Sequence, residues 1–300
     1  MAEAERPRKI QKRVCEDRIS SLCDDLLIQI LLLVPTKDAV ATSFLSKRWR
    51  FVWTMLPRLD YKETNDSDAG SKSVWWFLDE SMRQHKAPLL ERLSIQLGPQ
   101  CPVDVNVVKW VAKALDRPVR RLDFQLLWNS EPTRMPQSLY TCKNLARLSL
   151  SSKILVDVPS PVSLPSLTHL NLHHVVYKDE DSQVRLLSSC PVLKCLRVTR
   201  PRDVDDNVRK FSVKVPSLLR LSYMHPIFQG EDYTEDDTAR YAGREDEKEL
   251  IRFIVVNSKY LKTARVSLRS TCSAEEKHNM IEELKSMHRV STSYVPLFSA

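Results

Sequence analysis

Residues 17–61 read DRISSLCDDLLIQILLLVPTKDAVATSFLSKRWRFVWTMLPRLDY, and the rest of the chain is organised around them. Within residues 26–34 only Gln29 is polar. This run is far too short to cross a bilayer, which needs about 20 apolar residues. It therefore predicts a helix that is apolar nearly all round and buried on more than one side. The short helices expected after it cannot cover it, so part of its cover must come from another chain.

Local signals predict three helices in this stretch. Asp24 is the expected N-cap of the first helix, and Pro35 is expected to end it. Thr36 is expected to cap a second helix over residues 37–45, and Ser46 a third. The third helix carries two tryptophans one turn apart, Trp49 and Trp53.

Four sequence blocks in this order and spacing resemble the F-box of plant proteins: residues 17–27, 34–40, 45–50 and 52–53. The resemblance implies docking on a Skp-family adaptor and, through it, on a cullin-RING ubiquitin ligase. Where the family has Leu-Pro this chain has Leu22-Cys23, and that proline normally belongs to the adaptor contact. The resemblance assigns the following residues to the adaptor contact: Leu22, Cys23, Leu26, Leu27, Ile30, Leu31, Val34, Pro35, Val40, Leu45 and Trp49.

A repeat of the form apolar-x-x-apolar-x-apolar fills the middle of the chain. Its six clear copies begin 22 to 29 residues apart, which is the range of leucine-rich repeats. The first positions are Leu90, Val119, Leu145, Leu167, Leu193 and Leu218, with a degenerate seventh copy at Leu261. A single copy cannot bury its own leucines, so the pattern predicts a solenoid with a curved parallel sheet. The alternative is a set of coincidental leucine-rich strands in an ordinary α/β domain.

The segments around the repeats complete the predicted organisation. After an acidic stretch at residues 231–249, we expect a helix near residues 250–255, a strand over 262–268, a helix opened by the Ser273 capping box, and a strand over 294–298. This arrangement, in particular LKTARVSL at residues 261–268 and the helix over 276–284, resembles the FBD segment of plant F-box/LRR proteins. The predicted fold class is α/β: a three-helix F-box, a repeat solenoid and an α/β C-terminal cap. The expected divisions are a basic arm (1–16), F-box (17–62), linker and capping helix (63–87), repeats (88–230), acidic loop (231–249) and FBD-like cap (250–300).

Composition narrows the function classes. Only four glycines occur, without a phosphate-binding loop motif, and the seven cysteines form no zinc-binding spacing. His169, His173 and His174 are close in sequence, but on a repeat strand they are better explained as solvent-facing side chains than as metal ligands. No nucleophile motif is present. We therefore expect a non-catalytic protein without a cofactor or a membrane partner, located in the nucleus, the cytoplasm or both.

The repeats also predict a basic stripe. The residue two positions after each start points away from the leucine core, which gives Arg92, Arg121, Arg147, His169, Cys195, Arg220 and Thr263. The expected target-binding residues are Arg92, Arg121, Arg147, His169, Arg197 and Arg220. Their charge suits an acidic or phosphorylated target. The alternative is that the arginines have no binding role: their stems lie over neighbouring strands, and Asp123 and solvent neutralise their charge.

Two function classes follow from these features. The first is the substrate receptor of a ubiquitin ligase that the F-box resemblance implies, or an interaction protein that keeps the adaptor contact without a ligase role. The second is a nucleic-acid-binding repeat protein, because residues 70–230 hold 23 Lys and Arg against 14 Asp and Glu and the net charge is +8. The apolar first helix favours the first class, since nucleic acid needs surface cations and stacking aromatics instead.

Overall fold

In a computed structural model, the chain forms a row of parallel strands that follows a small group of helices. The structure describes residues 18–19, 21–63, 74–98, 106–127, 131–200, 208, 211–224, 248, 263–267, 273–286 and 295–299. Within these residues, nine strands form one parallel sheet. The predicted α/β class, with N-terminal helices ahead of leucine-rich repeats, is confirmed.

The strands of the main sheet follow each other in chain order. They are β1 Arg58–Lys62, β2 Arg92–Leu97, β3 Arg121–Leu126, β5 Arg147–Ser152, β7 His169–His173, β9 Cys195–Thr199, β10 Arg220–Met224, β11 Thr263–Ser267 and β12 Val295–Ser299. Three short strands form a second parallel sheet: β4 Thr133–Arg134, β6 Ile154–Val156 and β8 Val176–Tyr177.

The second and third apolar positions of the repeat are stacked in register. Leu93, Leu122, Leu148, Leu170, Leu196 and Leu221 are successive Cα partners across the sheet, and all are buried. Because side chains alternate between the two faces of a strand, the residues between these leucines lie on the opposite face. The predicted leucine-rich repeat is therefore confirmed, because unrelated leucine-rich strands would not share this register.

A proline opens a tight turn just before the first leucine of several repeats. In three repeats the amide of the first leucine donates to the carbonyl three residues earlier, and proline follows that carbonyl. These turns join Leu167 to Leu164, Leu193 to Cys190 and Leu218 to Val215, each with an N to O distance of 3.2 Å. Proline thus occupies the second position of a β-turn, where its restricted φ fits.

Helices connect the strands on the leucine side of the sheet. They are α4 Val74–Gln84, α5 Val107–Leu115 and α6 Glu180–Ser188, with a 3₁₀ turn at Gln137–Thr141. Asn106 caps α5 through the amide of Lys109, and Asp179 caps α6 through the amide of Ser182. The expected capping helix in the 63–87 segment corresponds to α4.

Three short helices precede the sheet: α1 Asp24–Leu31, α2 Thr36–Ala41 and α3 Trp49–Val52. The chain tightens into 3₁₀ turns at Thr42–Phe44 and Trp53–Met55. The second helix is therefore shorter than its predicted span of 37–45.

The predicted N-caps of these helices are wrong. Cys23, Pro35 and Arg48 hold the cap positions, without a side-chain cap bond. The predicted caps serve elsewhere: the Asp24 carboxylate accepts from Arg48 Nε at 2.8 Å, and the Thr36 hydroxyl accepts from the Asp60 amide at 2.8 Å. Ser46 accepts the Arg50 amide through its backbone carbonyl. Tertiary contacts therefore outweigh the local capping preference here.

Strand β1 was not predicted. It lies directly after the three helices and pairs with β2 in parallel, from Arg58 beside Arg92 to Lys62 beside Gln96. The buried residues of the helices and of the repeats form one hydrophobic core, from Leu27 to Leu221. The predicted division between residues 62 and 63 stays a prediction, but the end of the F-box stretch is the first strand of the sheet.

The C-terminal elements extend the sheet. Ala264 of β11 is the Cα partner of Leu221, as the degenerate seventh repeat predicts, and β12 pairs with β11 at the edge. The Ser273 capping box is present, since the Ser273 amide donates to Glu276 and the Glu276 amide donates to Ser273 Oγ at 3.1 Å. It opens α7 Ala274–Ser286. The expected helix near 250–255 and, apart from Lys248, the acidic stretch lie outside the described residues.

No helix in the part of the chain that the structure describes has the length and apolar character needed to span a membrane.

Candidate functional site: the exposed face of the N-terminal helices

The first helix has two different apolar faces. Leu27 and Leu31 are buried in the chain's own core, at 0% and 3% exposure. Leu26, Ile30 and Leu33 follow each other at helical spacing on the other side, with exposures of 50%, 43% and 85%. The chain therefore covers one face of α1 and leaves the other in solvent.

Exposed apolar side chains are concentrated in this part of the molecule. Among the described residues, nine of the thirteen large apolar side chains that are exposed lie before residue 56. They are Ile19, Leu26, Ile30, Leu33, Val34, Phe44, Leu45, Phe51 and Met55, and we call them the N-terminal apolar face. Scattered single apolar residues are normal on a surface, whereas a concentrated set is typical of an interaction site.

Several residues predicted to contact the adaptor do not lie on this face. Leu27, Leu31 and Trp49 are buried in the chain's own core, so their apolar surface is already covered, and their assignment to the adaptor contact stays a prediction. Leu22 and Val40 are half-buried. The remaining predicted residues are exposed, namely Cys23, Leu26, Ile30, Val34, Pro35 and Leu45.

The structure adds residues that the sequence pattern did not single out. Phe44 is 91% exposed and Phe51 is 62% exposed, and both come from the second and third helical pieces. Their signal in the sequence is weak, because each has an apolar neighbour, Leu45 or Val52, and such a pair is equally typical of core residues. Leu33 belongs to the same apolar run, and its position three residues after Ile30 was a signal that could have placed it on the exposed side.

Arg48 holds the two ends of the site together. Its guanidinium contacts the Asp24 carboxylate, with Nη2 2.7 Å from Oδ1, and donates to the Leu22 carbonyl. The start of α1 and the start of α3 are thereby joined at one point. An exposed ion pair contributes little to stability on its own, so the contact chiefly sets the relative position of the two helices.

Cys23 stands at the N-cap with φ of −70°, which is close to the angle that proline imposes. Within the described residues its amide donates no hydrogen bond. We therefore predict that Cys23→Pro raises the free energy of unfolding by ~0.4–1 kcal/mol, because proline restricts the unfolded chain. Because proline also fixes φ at the start of α1 before binding, we expect tighter adaptor binding than in the control. Calorimetric titration with the adaptor measures this effect, and Cys23→Ser is the matched control. Weaker binding by Cys23→Pro than by Cys23→Ser would contradict the prediction.

A buried polar junction connects this site to the repeats. His85, after α4, lies 2.8 Å through Nε2 from the Leu56 carbonyl, and the Ala87 amide donates to the Thr54 carbonyl. Arg117 donates from Nη1 to the Ala87 carbonyl at 3.0 Å. The helices and the first repeat are therefore tied by hydrogen bonds as well as by packing.

Burial lowers the pKa of His85 from 6.5 to about 4. The unfolded chain then binds more protons than the folded chain between these pH values, so stability falls as pH falls below 6.5. We predict a contribution of His85 to this loss of ~2 kcal/mol between pH 7 and 5. Denaturant unfolding of the wild type and of His85→Gln at both pH values measures it. His85→Gln should lack the part of the pH-dependent stability loss that His85 contributes, whereas the exposed control His278→Gln should retain it. An equal pH dependence of the unfolding free energy in the wild type and in His85→Gln would refute the prediction.

The second candidate site is the outward row at the start of the strands. Arg58, Arg92, Arg121, Arg147 and His169 occupy this row on successive strands. Cys195, Arg220 and Thr263 continue it. Arg197 lies one row further along the strands, as the partner of Asn171. The structure thus brings together the predicted residues, adds Arg58, and separates Arg197 from the row.

The row has two parts that differ in charge compensation. Arg92 lies 3.2 Å from Asp123 and 3.6 Å from Asp60, and Arg58 lies 3.3 Å from Glu91. The alternative of neutralisation by Asp123 therefore holds for Arg92. Arg121, Arg147 and Arg220 have no acidic partner among the described residues.

The described histidines, cysteines and carboxylates give little support for a metal site or a reactive side chain. Among them, no group of three or more His, Cys, Asp or Glu side chains is arranged to hold a metal ion. The rings of His173 and His174 are in contact, with centroids 4.1 Å apart and planes tilted by 40°. The described cysteines are free thiols.

Comparison with known proteins agrees with this architecture. A model of the F-box domain matches residues 19–61, and a model of the LRR repeats of the FBD-associated F-box protein At5g56370 matches residues 107–269. The chain is 45% identical over 435 aligned positions to the putative F-box/FBD/LRR-repeat protein At3g49480 of Arabidopsis thaliana, covering 95% of this chain and 96% of that protein. Since the alignment is longer than this chain, that relative contains segments without a counterpart here.

Two further Arabidopsis thaliana relatives match more of this chain than of themselves. The putative FBD-associated F-box protein At1g05080 is 55% identical, covering 78% of this chain and 52% of that protein. The putative F-box/FBD/LRR-repeat protein At1g22000 is 58% identical, covering 71% and 44%. The chain therefore spans about half the length of these two relatives.

The fold and the N-terminal apolar face define a leucine-rich-repeat protein that begins with an F-box. The chain belongs to the F-box/FBD/LRR-repeat family of plants. F-box domains generally bind Skp-family adaptors, and proteins of this family are typically non-catalytic.

Proposed function

We propose that this protein is the substrate-recognition subunit of a cullin-RING ubiquitin ligase. Its F-box docks on a Skp-family adaptor, and its repeats hold a protein target for ubiquitin transfer by the other subunits. The protein itself performs no covalent chemistry and needs no cofactor. It acts in the nucleus, the cytoplasm or both.

The observation that carries the proposal is the N-terminal apolar face. Leaving Leu33 at 85% exposure and Phe44 at 91% exposure in water is unfavourable by about 25 cal/mol per Å² of apolar surface. A helical partner with a complementary apolar groove removes this surface from water. The F-box match over residues 19–61 supports a Skp-family adaptor as that partner.

The junction between F-box and repeats supports a receptor role. Strand β1 makes the F-box and the first repeat one packed unit, through pairing with β2 and the contacts of His85 and Arg117. A target on the sheet is then held at a defined position relative to the adaptor. Defined positioning favours transfer between two bound partners, because the reacting groups lose little further freedom.

The test is direct complex formation. The purified chain should form a one-to-one complex with a Skp-family adaptor in size-exclusion chromatography and calorimetry, and the complex should recruit a cullin. A chain that stays folded by circular dichroism but forms no complex with any adaptor of its organism would overturn the proposal.

A further inference from the structure

The outward face of the sheet carries a group of cations centred on His169. Arg147 is the Cα partner of His169 on one side, and Lys194 directly precedes its partner Cys195 on the other. Arg121 and Arg220 lie two strands away in opposite directions. We call Arg121, Arg147, His169, Lys194 and Arg220 the His169 cluster. At ~4.8 Å between strands, its row covers ~19 Å.

The cluster is an uncompensated part of an otherwise compensated row. Arg58 and Arg92 have carboxylate partners, as described above. Within the described residues, the four cations of the cluster have none, and all four are exposed. Like charges on neighbouring strands are unfavourable at this spacing. An anion above His169 relieves that repulsion.

The hydrogen bonds of His169 determine what its ring offers. Thr168 Oγ1 donates to the Ala146 carbonyl at 3.0 Å, so its oxygen accepts from His169 Nδ1 at 2.9 Å. The neutral ring therefore carries its proton on Nδ1 and presents Nε2 as an acceptor. Burial, then Arg147, then the other cations of the cluster lower the pKa of His169. Only on proton uptake does Nε2 become a donor to an anion.

We propose that the His169 cluster binds a phosphorylated segment of the protein target. This inference rests on the proposed function, since it names the chemistry that the repeats recognise. A phosphate group carries a charge near −2 and three acceptor oxygens, so several cations on neighbouring strands can donate to it together. A carboxylate is satisfied by one bidentate arginine and leaves most of this cluster unused. Ser149, Asn171 and Arg197, one row along, offer polar contacts to the flanking peptide.

The same face does not suit nucleic acid. Single-stranded nucleic acid is bound through aromatic stacking platforms together with cations. The outward positions on the described parts of β1 to β10 carry no Trp, Tyr or Phe. Asp123 lies on β3 beside the cluster, and Asp60 and Glu91 follow toward β1, where a continuing phosphate backbone would meet them.

The experiment measures fluorescence anisotropy with three degenerate peptide libraries at 0.15 M salt. The libraries carry a central phosphoserine, a central serine or a central aspartate, and a U-rich RNA 10-mer is the fourth probe. The chain is titrated alone and in complex with its adaptor. The test variant is Arg121→Gln with Arg147→Gln, and the matched control is Arg58→Gln with Arg92→Gln on the same row.

The expected result is binding of the phosphoserine library that the test variant weakens at least ~10-fold, because hydrogen bonds to charged groups are lost. The control variant should change it less than ~3-fold, since Arg92 and Arg58 lie three and four strands from His169, ~14 and ~19 Å along the row. Charges beyond ~8 Å are largely screened at this salt concentration. Addition of inorganic phosphate should also raise the pKa of His169 in an NMR titration. The groups facing that ring are Arg121, Arg147, Lys194, Cys195 and Arg220.

Several outcomes would overturn the inference. They are undiminished binding by the test variant, equal binding of the aspartate or serine library, tighter binding of the RNA, and no binding of any probe. Unchanged circular dichroism of both variants is the folding control. Adaptor binding by the wild-type chain separates the two proposals. A normal adaptor complex that binds no phosphoserine library refutes this inference alone. A folded wild-type chain that binds no adaptor refutes the proposed function.

Discussion

Replacing Leu26 and Ile30 together by Asp is expected to abolish adaptor binding, with a loss of at least ~100-fold in affinity. Both side chains are half exposed in the free chain, at 50% and 43%, so the charges are tolerated before binding. In the complex they would lie in a desolvated apolar interface, where an unpaired charge costs several kcal/mol. Calorimetric titration of the adaptor into each variant measures the loss.

The matched control places the same charges on equally exposed apolar side chains elsewhere. Val184 and Val192 on the repeats are 42% and 39% exposed, and neither belongs to the N-terminal apolar face. Val184→Asp with Val192→Asp should bind the adaptor as the wild type does. Equal adaptor binding by the two double variants would remove the N-terminal apolar face from the interface, provided that both retain their helical circular dichroism.

The sequence predicts the apolar run but not which of its sides the chain itself covers. Leu26 and Leu27 are adjacent and chemically identical, yet one is half exposed and the other is fully buried. The difference arises from the orientation of α1 against α3 and the 3₁₀ turn that carries Trp53, a tertiary property that a run of apolar residues does not encode. A helical run with less uniform polarity would have shown its core face by periodicity.

Strand β1 was predictable in principle. Leu56, Leu59 and Tyr61 have the same apolar spacing as the repeats, and Arg58 stands at the position of the arginines in the outward row. The copy lies inside the stretch that resembles an F-box, so one pattern concealed the other. Strands β4, β6 and β8 carry no such signal, because two or three residues are too few for alternation to be recognised.

The charge pattern shows a similar division. Spacing alone predicts a column of arginines, and the register confirms that Arg121 and Arg147 are neighbours. Which arginines are neutralised depends on where the carboxylates of Asp60 and Glu91 lie. Asp60 lies on the unpredicted strand β1. The uncompensated part of the row therefore becomes visible only in the structure.

Trp53→Ala is expected to lower the free energy of unfolding by ~3–5 kcal/mol, the usual cost of removing a large buried aromatic side chain. Trp53 is 2% exposed and lies in the core shared by the helices and the repeats. The structure also predicts how far the effect of this substitution extends. Because β1 pairs with β2 and Thr54 accepts the Ala87 amide, the damage should reach the first repeats as well as the F-box.

Hydrogen exchange distinguishes a shared unit from two independent ones. In Trp53→Ala, the backbone amides of β2 and β3 should lose protection together with those of α1, and unfolding should remain one transition. Phe51→Ala is the matched control, because Phe51 is 62% exposed and the Lys86 ammonium lies 5.9 Å from its ring centroid. That change should cost less than ~1 kcal/mol. Full protection of β2 and β3 in Trp53→Ala would show that the F-box unfolds alone, and the target would then be held on a unit that moves freely against the adaptor.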